Sequence, residues 1–304
     1  MKISSYNEYS RLREVVVGSA SYANWPTECP VFQQEKELTL WKETPLPQGP
    51  VPQWIIDESN EDLDGLVDIL HQAGVTVHRP VETDYVARKG MYNYCPRDRL
   101  LIAGETIVDV AMHYPCRNQE AEALSCVTEG NHVIEIPKDG SFVLDAANVC
   151  RINDTLLFLE SASGNRAAAV WLQAQLPEFR VEVVNFYAGV HIDSTVSVLS
   201  DGVVLLNADR VNENNCPRIF DGWQKIYVDN VVPQAFYQYP YASKWMALNV
   251  LSIDSDTVIV DAAQTDLIRT LERNFYTVIP HTLRHSRTLG GGFHCVTLDT
   301  WRQD

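Results

Sequence analysis

The sequence predicts an α/β fold assembled from about five copies of one strand–turn–strand–helix–strand unit, closed into a ring. Two observations carry this. RLLIAGETIVDV (99–110), NVCRINDTLLFLE (148–160), TVSVLSDGVVLLN (195–207) and LNVLSIDSDTVIVDA (248–262) each pair two β-branched-rich runs around a tight polar turn. The turns recur at intervals of about 50 residues, a period typical of repeat architectures. A ring of such units leaves no sheet edge exposed, whereas the competing arrangement, one open mixed sheet, would expose two.

Between the hairpins lie helix-like stretches, NQEAEALSCV (118–127), GNRAAAVWLQAQL (164–176) and TDLIRTLERN (265–274). Further strand candidates follow them, as in FRVEVVNF (179–186) and FYTVIP (275–280). An N-terminal copy runs from LREVVVG (12–18) through the helix NEDLDGLVDILHQAG (60–74) to VTVHRP (75–80). The segment WKETPLPQGPVPQW (41–54) carries four prolines and is expected as an irregular surface loop, with a lid as a further reading. GFHCVTL near the C-terminus reads as a final strand.

At 304 residues the chain is long enough for a substantial core, and 1–304 is read as a single catalytic domain. Its net charge of −16 argues against a nucleic-acid partner but suits a cationic ligand. Seven cysteines (29, 95, 116, 126, 150, 216 and 295), with no C-x-x-C pair, speak against a disulfide framework or a zinc site. The N-terminus lacks the apolar core of a signal peptide, and no run is long enough to span a membrane. A cytoplasmic, reducing setting is therefore expected.

The residues with chemical promise lie near equivalent ends of strands in different repeats. Cys295 follows three glycines and His294. On an extended strand adjacent side chains point to opposite faces, so His294 is not expected to assist Cys295. His191 and Asp193 in GVHIDSTVSVL are two apart and share a face of an entering strand, as proton carrier and cation holder. A satisfied core histidine is the competing reading. Asp98 in YCPRDRLLI and Asp145 in FVLDAANVC lead into hairpins, where turn aspartates are common. Asp145, set in an apolar run, calls for an imidazole or arginine partner.

LGGGFHCVT resembles the C-terminal signature of the L-arginine:amine amidinotransferases. PRD (96–98), LDAAN (144–148), HIDST (191–195), NADR (207–210) and SKWMALNVL (243–251) resemble that family's other motifs, in the same order. The resemblance is continuous from about Cys95 onward and looser before it. It implies a five-bladed α/β-propeller of the pentein type. It also implies Cys295 as nucleophile, His191 as general acid/base and Asp145 as the group that orients His191. Asp98 and Asp193 would hold the guanidinium of the donor L-arginine. Arg210 would bind its α-carboxylate, with Ser243 nearby. The implied chemistry is ping-pong transfer to a small amine without metal or cofactor, ornithine being released; family members are often homodimers. Members acting on glycine carry Asn and Met in the short loop before H-I-D, which reads YAGV (187–190) here, so an acceptor other than glycine is expected. The second aspartate of the family's D-A-A-D is Asn148, and Arg166 is more like an arginine of the related deiminases. An arginine deiminase or dihydrolase activity is the alternative.

Overall fold

The computed structural model describes residues 1–38, 47–233 and 241–303. In chain order the elements begin with β1 (Arg11–Val17), β2 (Asn24–Trp25), α1 (Pro30–Leu38), β3 (Gly49–Pro50), α2 (Gln53–Gln72) and β4 (Thr76–His78). The hairpin β5 (Leu100–Ala103) and β6 (Thr106–Asp109) leads through the short α3 (Ser125–Thr128) to β7 (Val133–Glu135). Next come β8 (Val149–Ile152), β9 (Thr155–Leu159), α4 (Arg166–Gln175) and β10 (Arg180–Val184). They are followed by β11 (Val196–Ser200), β12 (Val203–Asn207) and β13 (Gln224–Val228). The chain ends with β14 (Leu251–Ser252), β15 (Thr257–Asp261), α5 (Thr265–Arg273), β16 (Thr277–His281), α6 (Ser286–Leu289) and β17 (Thr297–Gln303).

These strands form five three-stranded sheets of one plan, plus a short β2–β3 ribbon. In each, the middle strand pairs antiparallel with one neighbour and parallel with the strand that follows the crossover. The N-terminal copy obeys the same rule with a change of source: β1 pairs parallel with β4 and antiparallel with β17, so the two ends of the chain share a sheet. The expected repeat is thus present as a mixed α/β fold, and no single sheet closes on itself among the described residues.

Local chemistry accounts for the elements. Middle strands are buried on both faces, as in TLLFL (155–159), which explains their unbroken apolar runs. The Asn-Asp turn works because Asn153 accepts φ 56°, a conformation most side chains resist. Helix α2 buries Ile55, Ile56, Leu63, Leu66 and Leu70 on one face, and α4 is capped by Asn165, whose Oδ1 accepts from the Ala168 amide at 2.9 Å. The helix expected at 118–127 is mostly a 3₁₀ run, Pro115–Leu124. Three-residue turns stack positions i and i+3, and Arg117 and Glu120 use that spacing for a buried ion pair at 3.0 Å.

Of the proline-rich stretch, residues 41–46 lie outside the described residues, so the lid reading rests there; Gly49–Pro50 is the β3 strand and α2 starts at Gln53. Among the described residues no helix is long and apolar enough to cross a membrane.

Candidate active site

Cys295, expected on a strand, stands in a turn instead. Helix α6 ends at Gly290, the chain turns through Phe293–Val296, and β17 begins only at Thr297. The turn is closed by the Val296 amide on the Gly292 carbonyl at 3.0 Å. Protein atoms crowd the glycines: a Cβ on Gly291 would stand 2.5 Å from Cys95 Sγ, and one on Gly292 2.6 Å from Asn249 Cβ. Close packing is what the structure asks of these two glycines. Gly292→Ala should cost about 1–3 kcal/mol through overpacking. Urea unfolding at neutral pH checks it, and an unchanged midpoint would mean that Asn249 gives way freely.

Cys295 is fully buried. Its amide donates to Asn249 Oδ1 at 3.0 Å, Asn249 Nδ2 donates back to Sγ at 3.2 Å, and Sγ lies 3.2 Å from Asp193 Oδ2. Asn249, inside SKWMALNVL, drew no attention as a sequence position. Only its two-point grip on Cys295, after the 3₁₀ turn Lys244–Leu248, reveals it.

His191 and Asp193 also occupy a turn rather than a strand, because β11 starts at Val196 and His191 has φ 60°. Their side chains serve different neighbours. His191 Nε2 meets Asp145 Oδ2 at 3.0 Å, and its Nδ1 lies 3.7 Å from Asp98 Oδ1. Asp145 Oδ1 in turn accepts from the His113 amide at 2.7 Å. Burial works against the charge on His191, but Asp98 and the Asp145 hydrogen bond outweigh it and lift its pKa well above the usual histidine range. Asp193 Oδ2 meets His294 Nδ1 at 2.9 Å.

This overturns the expected separation of His294 from Cys295. In the turn, both reach the same carboxylate oxygen, Asp193 Oδ2. The alternation rule applies to extended backbone, and this backbone is not extended.

Two buried carboxylate oxygens, Asp98 Oδ1 and Asp193 Oδ1, have no hydrogen-bond partner among the described residues. Asp98 Oδ2 is held by Arg117 Nη1 at 2.9 Å. Burial raises the Asp98 pKa, with His191 and Arg117 opposing, whereas at Asp193 the bond and charge of His294 overcome burial and lower it. The Cys295 thiol is pushed well above its ordinary value by neighbouring Cys95, by burial and by Asp193, with His191 pulling the other way. Ligand-type atoms of Asp98, His191 and Cys295 come within 4.8 Å of one another. A metal ion could bridge such a trio, but a thiol, an imidazole and a carboxylate converging here also suit attack on a planar cation.

Arg210 and Ser243 have partners outside this cluster. Arg210 Nη1 donates to Ser194 Oγ at 3.1 Å and Thr195 Oγ1 at 2.7 Å, and its guanidinium stacks 3.7 Å from the Tyr187 ring centroid. Ser243 Oγ accepts from the Trp245 amide at 3.3 Å, capping the turn that leads to Asn249. Asn148 bonds Ser161 and Ser163, and Arg166 pairs with Glu160 at 2.9 Å on an exposed side chain.

No protein-family model matches the chain. Inosamine-phosphate amidinotransferase 1 of Streptomyces griseus is 37% identical to it, across 99% of this chain and 97% of that protein. The chain belongs to the amidinotransferase family. This amidinotransferase is therefore a transferase enzyme, related to proteins that move amidino groups in biosynthesis. Its fold matches the solved inosamine-phosphate amidinotransferase of Streptomyces griseus with a TM-score of 0.91 at 34% identity, covering 99% and 97% of the two chains. SxtG, an amidinotransferase of Microseira wollei in the saxitoxin biosynthetic pathway, gives 0.88 at 27% identity, covering 99% and 98%. DDAH from Pseudomonas aeruginosa, at 16% identity and a TM-score of 0.68 over 95% and 99%, shares with the amidinotransferase the fold alone.

Proposed function

We propose that this amidinotransferase takes the amidino group of L-arginine onto Cys295, releases ornithine, and passes the group to an amine acceptor other than glycine. The observation that carries the reading is the pair of buried carboxylate oxygens that accept no hydrogen bond, Asp98 Oδ1 and Asp193 Oδ1, beside a thiol and an imidazole. A guanidinium is planar and offers hydrogen-bond donors on its edges, so two carboxylates can hold it flat with its carbon turned towards sulfur. Its positive charge also offsets Asp193 beside Sγ, which favours loss of the thiol proton once substrate is bound.

The steps balance with one proton carrier. Cys295 sulfur bonds to the guanidinium carbon as the bond from that carbon to the donor's side-chain nitrogen breaks. The proton lost by sulfur ends on the departing amine, with His191 as the carrier and Asp145 holding its ring. In the second half the acceptor nitrogen attacks the amidino carbon, its proton returns through His191, and the Cys295 thiol re-forms. In the same reading Arg210, preset by Tyr187 and Thr195, meets the donor α-carboxylate, with Ser243 close by. Ala188 and Val190 bring no polar side chain to the loop that would greet glycine, which supports a larger, specialised-metabolite amine as acceptor.

Five sheets of one plan support a five-bladed propeller that gathers these residues at its axis, residues 1–304 acting as one catalytic domain. All seven cysteines are free thiols, which suits a reducing cytoplasm. Intact mass after brief exposure to arginine tests the chemistry. We expect a gain of one amidino group, discharged when a competent amine is added. Citrulline or ammonia release without any amine would instead make the enzyme a hydrolase.

A further inference from the structure

We propose that Glu8 and His294 are positioning residues for the transfer reaction: they tie down Asp193 through Oδ2 and leave Oδ1 aimed at the substrate guanidinium. The inference rests on the proposed role of Asp193 and extends the site to a residue near the N-terminus.

His294 stands between two carboxylates. Nδ1 meets Asp193 Oδ2 at 2.9 Å and Nε2 meets Glu8 Oε2 at 3.2 Å, with all three side chains at least 88% buried, the least buried being 12% exposed. Ionised carboxylates only accept hydrogen bonds, so both ring nitrogens must carry protons, and the ring is an imidazolium. A neutral ring would set one lone pair against a carboxylate in a buried site. Burial and Arg97 oppose this charge, and the bonds to Asp193 and Glu8 outweigh them.

Glu8 has no freedom to turn away. Arg151 binds it through the backbone amide at 3.1 Å, Nε at 3.0 Å and Nη2 at 2.5 Å. Arg151 also reaches Asp299 at 2.8 Å, and Arg97 and Arg302 each meet Asp299 at 2.5 Å. The charged and titratable groups facing His294 and Asp193 are thus Glu8, Arg97, Arg151 and Asp299 on one side, and His191, Asp98 and the Cys295 thiol on the other. A chain of charge-assisted bonds runs from Asp299 on β17 through Arg151 on β8 and Glu8 in the N-terminal segment to His294, beside Cys295. Its effect is geometric: a carboxylate with one oxygen committed presents the other in a single direction.

The test uses the full-length enzyme and the variants Glu8→Gln, His294→Ala and His294→Asn. Nitrogen-15 NMR of the wild-type ring should report an imidazolium at neutral pH, with the proton lost earlier in Glu8→Gln as pH rises. For donor turnover, His294→Ala should lower kcat/KM for arginine by about 10- to 100-fold, the scale of a lost hydrogen bond to a charged group. Its acidic limb should move to higher pH, because Asp193 loses the cation that keeps it ionised. His294→Asn, which retains a donor towards Asp193, should recover part of the loss. A ring that is neutral at pH 7 overturns the inference whatever the reaction proves to be. So does an unmoved acidic limb with arginine kcat/KM unchanged in both Glu8→Gln and His294→Ala. If wild-type enzyme never acquires an amidino group from arginine, the underlying functional reading falls; if it does and the variants match it, this inference alone falls.

Discussion

Replacing Cys295 with alanine is expected to cut turnover on the order of 10⁴-fold or more and to remove the amidino adduct altogether. On the proposed route the reason is covalent. Without sulfur, the amine acceptor must attack the arginine guanidinium directly, and the resonance-stabilised cation resists a neutral amine. Orientation by Asp98 and Asp193 would survive, so donor binding should remain measurable while chemistry stops. The change removes only a sulfur from a buried turn, and Asn249 Nδ2 loses that acceptor but keeps the Asp193 carbonyl. Circular dichroism and urea unfolding should therefore stay near wild type, separating lost chemistry from lost fold. Steady turnover in Cys295→Ala would dismiss the covalent route in favour of direct transfer.

The second large effect lies away from the sulfur. Asp299 is fully buried in β17 and accepts from Arg97, Arg151, Arg302 and Ser5. Burial pushes its pKa up, but the three arginines overcome that and hold it far below the carboxylate range. Asp299→Asn leaves three buried guanidinium groups short of a counter-charge, and breaking such a cluster costs about 3–5 kcal/mol. The sign of the pH dependence follows from the depressed pKa. The stabilisation is present above the unfolded value, about 4, and drains away as pH falls towards the folded one. The gap between wild type and Asp299→Asn in urea unfolding should thus be widest at neutral pH and narrow below about pH 4. A gap that is constant from neutral to acid pH would mean that the cluster acts by packing alone.

Much of this enzyme was legible from spacing and residue type. Apolar runs around tight turns located the hairpins because a middle strand buried on both faces tolerates few polar residues, as TLLFL does. The helices after residues 164 and 264 announced themselves by composition. At 118–127 the expected helix is mostly a 3₁₀ run, in which Arg117 and Glu120 pair across three positions.

The site divides differently. Motif order singled out Cys295, His191, Asp145, Asp98 and Asp193, and the structure gathers those five within one cluster. It leaves Arg210 and Ser243 with partners of their own. Asn249 and Glu8 were missed for one reason: their contacts join positions 46 and 286 residues apart. His294 was set aside on a rule about strands, and the backbone there turns.

What the sequence determined by itself is the repeat, the apolar interior and which polar side chains stand at the strand ends, because these depend on local pattern. What only the tertiary structure decided is which side chains meet. The direction of the backbone at residues 191–195 and 293–296 selects their partners, and that direction is imposed by packing against Cys95, Asn249 and Glu8. A turn there brings His294 and Cys295 to one oxygen; a strand would have sent them apart.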